Sequence, residues 1–132
     1  MHDASNRPAQ TFAFSHTREE DFKQGLRSYA RYRDLGFAAA TGGAAVAHVI
    51  RFTEPCSDEV RIWHTHAIEF QMVYVLKGWI TTEMQGHPAV KMVAGSSWMQ
   101  PPNIRHRVLE YSVGCEVLEV VLPADFETAM EG

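Results

Sequence analysis

Residues 64–78 read His-Thr-His-Ala-Ile-Glu-Phe-Gln-Met-Val-Tyr-Val-Leu-Lys-Gly, and the interpretation of the whole chain starts from this stretch. It places two histidines, His64 and His66, two positions apart. Side chains two apart on a β-strand point to the same face, so both imidazoles can reach one ion. Histidine is the commonest metal ligand in proteins. The stretch therefore predicts a metal site built on a strand.

The residues around the histidine pair predict where the strand begins and ends. Apolar residues two and four positions before His64 share its parity, which predicts a strand from Glu59 to His66 with an apolar inner face. Gln71 has the opposite parity, so residues 67–70 are expected to form a turn or bulge that resets the register. A second strand would follow and end at Gly78.

A third histidine follows a predicted turn. Residues 95–106 read Gly-Ser-Ser-Trp-Met-Gln-Pro-Pro-Asn-Ile-Arg-His. The Pro-Pro-Asn segment favours a turn in which Asn103 takes the positive φ that a type II turn requires. The chain would leave this turn close to His106, which becomes the candidate third ligand.

These stretches resemble the two sequence motifs of the cupin superfamily. The first motif reads Gly, five residues, His-x-His, three or four residues, Glu, six residues, Gly, and the interval from His64 to Gly78 reproduces that spacing. The second reads Gly, five residues, Pro-x-Gly, two residues, His, three residues, Asn, and the interval from Gly95 to His106 fits it. Where the family has glycine, glutamate, glycine and asparagine, this chain has Asp58, Gln71, Asn103 and Glu110.

The resemblance implies a small single-domain, RmlC-like cupin: an all-β, double-stranded β-helix (jelly-roll barrel) with a short N-terminal helix. We predict an N-terminal tail and short helix at residues 1–25, the barrel at residues 26–122 and a C-terminal tail at residues 123–132. A capping-box pattern from Thr17 to Glu20 predicts where the helix starts, and one turn of helix is predicted after Pro123. Hydrophobic alternation and turn residues predict strands at 44–52, 59–66, 71–77, 79–84, 90–93, 98–100, 104–111 and 116–122.

Length and composition agree with one globular domain. The chain has 132 residues, of which 45% are hydrophobic, which is enough for a real core. Its net charge of -4 gives no basic surface for nucleic acid. No window approaches the run of about eighteen apolar residues that a membrane span needs, and the N-terminus is polar where a signal peptide is apolar. We therefore predict a cytoplasmic protein that binds neither nucleic acid nor membranes.

The predicted metal ligands are His64, His66, His106 and Gln71. Glu69 shares the parity of Gln71 and is the alternative fourth ligand, although the six-residue interval before the terminal glycine favours Gln71. Nitrogen-rich ligation suits one divalent transition metal, namely Fe, Mn, Co, Ni, Cu or Zn, and the order of affinities does not choose among them.

Two carboxylates are candidate acid or base residues. Glu110 shares the parity of His106 and is expected to point inward, and Glu69 lies two residues before Gln71. Either side chain could transfer a proton at the metal site. The alternative is that each is a solvated carboxylate at the rim of the barrel.

The charge of the predicted ligands indicates the kind of molecule that binds. Three neutral imidazoles and a neutral amide leave the charge of a divalent ion uncompensated, which favours a small anionic ligand or substrate. We predict a metalloenzyme of the dioxygenase, isomerase or lyase type that acts on a small anionic metabolite. The alternative is a non-catalytic, metal-stabilised module that binds or senses a small ligand. The resemblance to small cupins also implies a homodimer.

Overall fold

The fold consists almost entirely of β-strands. In the computed structural model, which describes residues 8–25 and 27–131, these residues include one 3-10 helix, Glu19–Asp21, and one α-helix, α1 (Phe37–Ala40). Neither helix is long and apolar enough to span a membrane. The strands are β1 (Lys23–Gln24), β2 (Ala30–Asp34), β3 (Val46–Phe52), β4 (His64–Ala67), β5 (Phe70–Lys77), β6 (Trp79–Met84), β7 (Val90–Val93), β8 (Ser97–Met99), β9 (His106–Tyr111), β10 (Glu116–Leu122) and β11 (Glu127–Met130).

Two antiparallel sheets form the barrel. The six-stranded sheet has the order β1-β2-β3-β10-β5-β8, and the five-stranded sheet has the order β11-β4-β9-β6-β7. Several neighbours, such as β3 with β10 and β4 with β9, come from distant parts of the chain, as in a jelly roll. The all-β, cupin-type jelly roll predicted from the sequence is therefore confirmed.

Alternating apolar residues build the core between the sheets. The inner faces of β5 and β10 carry Val73, Val75, Val117 and Val121, which are at most 4% exposed. Ile80 of β6 faces them from the other sheet and is 2% exposed. Fully burying one such side chain contributes about 1.5–3 kcal/mol, so the period-two alternation selects which face of each strand turns inward.

Two turns form as predicted. Gly78 joins β5 to β6 with a φ of 74°, and an added Cβ there would overlap the Ser112 hydroxyl. Asn103 has a φ of 62°, and its turn is closed by a hydrogen bond from the Ile104 N–H to the Pro101 carbonyl at 3.3 Å. Both positions need a left-handed backbone, which glycine and asparagine adopt most readily.

The strand that carries the histidine pair is shorter than predicted. Residues 58–61 form a turn instead of the first half of a strand, with the Arg61 N–H donating to the Asp58 carbonyl at 3.2 Å. The Arg61 guanidinium also bonds to the Asp58 carboxylate and to the Leu109 carbonyl. These local bonds compete with strand pairing, so β4 begins only at His64.

Both ends of the chain differ from the prediction. Residues 1–7 of the predicted tail lie outside the described residues, and the N-terminal helix is one 3-10 turn whose N-cap, Arg18, makes no side-chain cap. The predicted helical turn after Pro123 is wrong, because this segment contains β11. β11 pairs with β4, about sixty residues earlier, and local sequence patterns do not report such long-range pairing.

Candidate metal centre

Adjacent strands of the five-stranded sheet bring the three histidines together. In the pairing of β4 with β9, His64 lies directly opposite His106. β11 borders the other edge of β4, where Thr128 lies opposite His66. Paired residues on neighbouring strands point to the same face, as do residues two apart on one strand. All three imidazoles therefore enter the barrel from the same wall.

The three rings are close enough to share one ion. Their centroids are 4.1 Å apart for His64 and His106, 5.0 Å for His64 and His66, and 4.9 Å for His66 and His106. One ring nitrogen from each histidine lies within 4.8 Å of the others. The triad that the sequence spacing indicates is thus assembled in the fold and could hold a metal ion.

Backbone carbonyls fix the tautomers of two of the histidines. The Nδ1 atom of His64 is 3.0 Å from the Ile62 carbonyl oxygen, and the Nδ1 atom of His106 is 2.9 Å from the Ile104 carbonyl oxygen. A carbonyl only accepts hydrogen bonds, so each Nδ1 carries the proton and donates it. In a neutral imidazole the Nε2 atom then keeps a lone pair for a metal.

The C-terminal strand β11 and the residue before it support His66. The Nδ1 atom of His66 is 2.8 Å from the Thr128 hydroxyl, and the Phe126 ring packs edge-on against the imidazole with centroids 5.4 Å apart. Such outer partners orient a ligand ring before the metal arrives. Residues 123–132, which the sequence prediction treated as a tail, therefore contribute directly to the site.

Burial keeps the imidazoles neutral. It lowers the pKa of His66 to about 4, with further contributions from the neighbouring His106 and His64, and it lowers the pKa of His106 to about 4. Burial likewise lowers the pKa of His64. Metal binding requires unprotonated imidazoles, so near neutral pH these histidines need lose no side-chain proton to bind an ion.

Gln71 is suited to be a fourth ligand. It lies on β5, is 2% exposed, and lines a cavity with all three histidines. Its Nε2 atom donates to the Glu119 carboxylate at 2.8 Å, whereas its buried Oε1 atom has no hydrogen-bond partner among the described residues. An unpaired buried oxygen costs free energy, and a divalent ion would remove that cost. The residues present therefore fit the metal that a cupin fold implies.

Glu119 is a carboxylate in the cavity that the sequence prediction missed. It lies on β10, between the buried Val117 and Val121 of the inner face. Its Oε1 atom is 2.7 Å from the Nε2 atom of His48. A charged residue that shares the parity of two inward valines was the available signal, because such a residue is rarely buried without a role.

Glu119 stays ionised in this position. Burial raises its pKa, but the hydrogen bonds from His48 and Gln71 and the charge of His48 together outweigh burial, so the pKa lies below its ordinary value. A carboxylate with both oxygens hydrogen-bonded keeps further lone pairs, so it can still accept a proton. Glu119 thus places a carboxylate in the cavity that is hydrogen-bonded to His48 and Gln71.

The structure does not bring Glu110 to the site, where an inward orientation was expected. Its carboxylate is 3.3 Å from the Arg61 guanidinium, and its side chain is 49% exposed. A register shift in the β6–β9 pairing sets Val108 opposite Thr82 but Glu110 opposite Thr81. The bulge resets the alternation after Val108, so parity counted from the third histidine no longer applies at Glu110.

Glu69 also lies away from the histidines. It is exposed in the bend between β4 and β5, where its N–H donates to the Leu122 carbonyl at 2.7 Å. It is not among the residues that line the cavities at the triad. Parity with Gln71 failed as a guide because Glu69 precedes the strand in which that alternation holds.

A buried amide contacts the third histidine. The Trp98 Nε1 atom donates to the Oε1 atom of Gln100 at 3.0 Å, and indole nitrogen is a donor only. This contact turns the Nε2 atom of Gln100 toward the Nε2 atom of His106, 3.1 Å away. An amide N–H can only donate, so His106 is the acceptor through its Nε2 lone pair, and a metal ion bound to that atom would replace this hydrogen bond.

Two adjoining cavities meet at these residues. The smaller, of about 100 Å³, is lined by the triad together with Gln71 and Gln100. The larger, of about 370 Å³, extends from His64 and His66 past aromatic side chains, and Glu119 lines both cavities. Small-molecule sites are typically apolar clefts with a few converging polar groups, and this arrangement has that character.

The jelly roll and its inward-facing histidine triad define the class of protein as a cupin with a candidate metal site. The chain matches the cupin domain family over residues 54–121, about half of its length. It belongs to that family.

Solved structures with the same fold support this assignment. KdgF from Halomonas sp. has a TM-score of 0.69 at 19% identity, covering 86% of this chain and 94% of that chain. An RmlC-like cupin from Shewanella frigidimarina has a TM-score of 0.63 at 22% identity, covering 89% and 96%. Salicylate 1,2-dioxygenase from Pseudoaminobacter salicylatoxidans, in an adduct with gentisate, has a TM-score of 0.65 at 10% identity, covering 83% of this chain and 31% of that chain. Among curated proteins, none matches this sequence.

Proposed function

We propose that this protein is a metal-dependent enzyme of the isomerase or lyase type, which moves a proton on a small organic anion. The observation that carries the proposal is the ionised Glu119, a partly buried carboxylate in the cavity shared with His64 and His66. A metal site with an adjacent proton acceptor is equipped for proton abstraction beside a polarised oxygen.

His64, His66, His106 and Gln71 would hold the ion. The metal would act as a Lewis acid and template for an oxygen of the substrate, and Fe, Mn, Co, Ni, Cu and Zn are all compatible with the ligand types. Four neutral ligands leave its charge uncompensated, which favours an anionic substrate.

Glu119 would accept the proton, and its neighbours would hold it in place. The His48 imidazole contacts one carboxylate oxygen at 2.7 Å, and the Gln71 amide contacts the other at 2.8 Å. Gln71, itself a proposed metal ligand, thus contacts the proton acceptor directly.

The structural neighbours include both redox and non-redox enzymes. Besides the salicylate 1,2-dioxygenase, they include lyases that act on DMSP, at a TM-score of 0.63 and 14% identity. At such identities the neighbours support the fold alone, so the choice between the two reaction types is based on Glu119. The oxygenase and the non-catalytic module remain the alternatives that an experiment must separate.

The test combines metal content with proton exchange. We expect about one equivalent of a transition metal in protein purified without an affinity tag, none in His66→Ala, and full content in His87→Ala, which alters an exposed histidine. With metal bound, the protein should catalyse deuterium incorporation from D2O into members of a panel of small carboxylic acids, without consuming oxygen. Oxygen consumption would favour the dioxygenase alternative, and ligand binding without exchange would favour the sensing module.

We also propose that the protein acts as a homodimer, in the cytoplasmic location predicted from the sequence. The outer face of β5 and β8 carries four large apolar side chains that are at least 40% exposed: Phe70, Tyr74, Leu76 and Met99. A contiguous exposed apolar face is typical of an association surface. Sedimentation should show a dimer for the parent protein and for Val113→Lys, but a monomer for Tyr74→Lys. A monomeric parent protein at micromolar concentration would contradict this proposal.

A further inference from the structure

The larger cavity reaches a cationic side chain. The residues that line it include His64, His66 and Glu119 and also Arg27, in the segment between β1 and β2. The sequence prediction assigned no role to this arginine. Among the cavity-lining residues that the structure describes, it is the only arginine or lysine in the larger cavity.

Arg27 has no carboxylate partner among the described residues, unlike four other arginines. Arg51, Arg61, Arg105 and Arg107 each form an ion pair with a glutamate. The guanidinium of Arg27 instead contacts the Met130 sulfur at 3.4 Å. A thioether is a weak acceptor, so this contact leaves the hydrogen-bonding capacity of the guanidinium largely unused.

The backbone next to Arg27 is built to pass close to the cavity. Gly25 lies across the ring of Tyr32, and a Cβ at this position would overlap that ring. Both residues line the cavity with Arg27. Glycine is the residue that permits such a close approach of the backbone to a ring. The strand β11, through Met130, contacts the guanidinium itself.

The charge around Arg27 favours an anion in the cavity. The positive charge of Arg27 contributes to lowering the pKa of His64, His66 and His106, although burial is the larger cause for each. The Glu119 carboxylate is already bonded to His48 and Gln71. A divalent ion at the triad would add further positive charge, and an anion between the two cations would relieve their repulsion.

We infer that Arg27 is the specificity-determining residue that binds a carboxylate group of the substrate in the cavity that Arg27 shares with His64 and His66. This inference rests on the proposed function and names its substrate class: an organic acid with one carboxylate on Arg27 and a second oxygen group at the metal. A guanidinium binds a carboxylate through two parallel hydrogen bonds, which fixes orientation as well as charge. Aromatic side chains, Tyr29, Tyr32 and Phe126, also line this cavity and would contact the carbon skeleton.

The test measures binding, independently of turnover. Protein loaded with zinc is titrated by calorimetry with succinate, glutarate and adipate, with butyrate, valerate and hexanoate as monocarboxylates of matched length, and with inorganic phosphate. We expect at least one dicarboxylate to bind about ten- to hundredfold more tightly than its monocarboxylate partner. Arg27→Met should remove that preference, and Arg27→Lys should keep part of it. Zinc content should be unchanged in both variants.

Arg31→Met is the matched control, because Arg31 lies on β2 and lines neither cavity, and its side chain donates to the Ala30 carbonyl. It should keep the full dicarboxylate preference. Equal affinities in the parent protein and Arg27→Met would overturn the inference, and an Arg27-dependent preference for phosphate would overturn the carboxylate class. Failure of the parent protein to bind zinc would contradict the proposed function instead. In that event the same titrations on metal-free protein still test the role of Arg27. Arg27→Met should then weaken dicarboxylate binding.

Discussion

The two sheets place different kinds of groups in the cavity. The five-stranded sheet supplies His64, His66 and His106, each oriented through Nδ1 by a carbonyl or a hydroxyl. The six-stranded sheet supplies Gln71 and Glu119, which bond to each other side chain to side chain. The five-stranded sheet, called here the histidine wall, thus presents neutral nitrogens with fixed orientation. The opposite wall, formed by the six-stranded sheet, presents the charge of Glu119. This division suggests that metal affinity and proton transfer can be altered separately.

The largest effect is expected from removing the charge of the six-stranded sheet. Glu119→Gln should lower the rate of proton exchange about a hundredfold or more, because an amide cannot accept the proton. Metal content should remain near the parent value, since the histidine wall is unchanged. Exchange rates and elemental analysis of the same preparations measure both quantities.

The control for this change lies on the same strand. Glu116 is also a glutamate of β10, but it pairs with Arg51. Glu116→Gln should leave the exchange rate within about twofold of the parent, as expected for surface changes of roughly 0.5 kcal/mol. An unchanged rate in Glu119→Gln would exclude that carboxylate as the proton acceptor and would remove the contrast between the two walls.

A smaller effect is expected from loosening the histidine wall. Thr128→Val removes the hydroxyl that contacts the His66 Nδ1 atom and keeps the shape of the side chain. Loss of such an outer partner typically weakens metal affinity about ten- to hundredfold. The control is Thr65→Val, one residue before His66 on β4, which should keep the parent affinity for the metal. Equal metal affinities in competition titrations of the two variants would show that Thr128 does not orient the ligand.

A change at the junction of the two walls should act in opposite directions on metal and anion. Gln71→Glu adds a negative charge, so we expect metal affinity to rise and anion affinity to fall, each by about tenfold. The new carboxylate would face Glu119, so the metal-free variant should also be less stable than the parent protein. The control is Gln85→Glu, which adds the same charge at an exposed turn and should leave both affinities unchanged. Unchanged anion affinity in Gln71→Glu would contradict the charge argument.

The two walls also differed in how far sequence alone could predict them. The histidine pair and the third histidine were predictable because a strand repeats every two residues and the turn before His106 has a distinctive sequence. Glu119 could have been identified from its position between two inward valines, yet Glu110 was expected instead. A bulge reverses the alternation there, and single-residue irregularities leave no periodic signal.

The termini were the least predictable part of the site. Thr128 and Arg27 reach the cavity from segments outside or at the edge of the region of strong hydrophobic alternation. Their positions depend on pairing between distant strands, such as β11 with β4, which is set by the assembled barrel rather than by local propensity. The motif thus predicted the histidine triad, whereas the groups that contact it from other strands, and Arg27 in the larger cavity, required the fold.

The two walls also differ in how they respond to pH in the metal-free protein. The pKa of His66 and of His106 falls from 6.5 to about 4 on folding, so the unfolded chain takes up protons first as the pH drops. The free energy of unfolding should therefore be constant above about pH 7 and fall between about pH 6.5 and pH 4. Glu119 has a pKa below its ordinary 4.5, so its contribution is lost only below about that pH.

Urea unfolding of the metal-free parent protein, His66→Gln and Glu119→Gln between pH 7.5 and pH 5 tests this difference. His66→Gln should lose less stability over this range than the parent protein, because it removes one imidazole that resists protonation when folded. Glu119→Gln should fall as steeply as the parent protein, since the carboxylate titrates at lower pH. If all three proteins had the same slope, burial of the His66 imidazole would not control its protonation, and the histidine wall would not be held neutral for the metal.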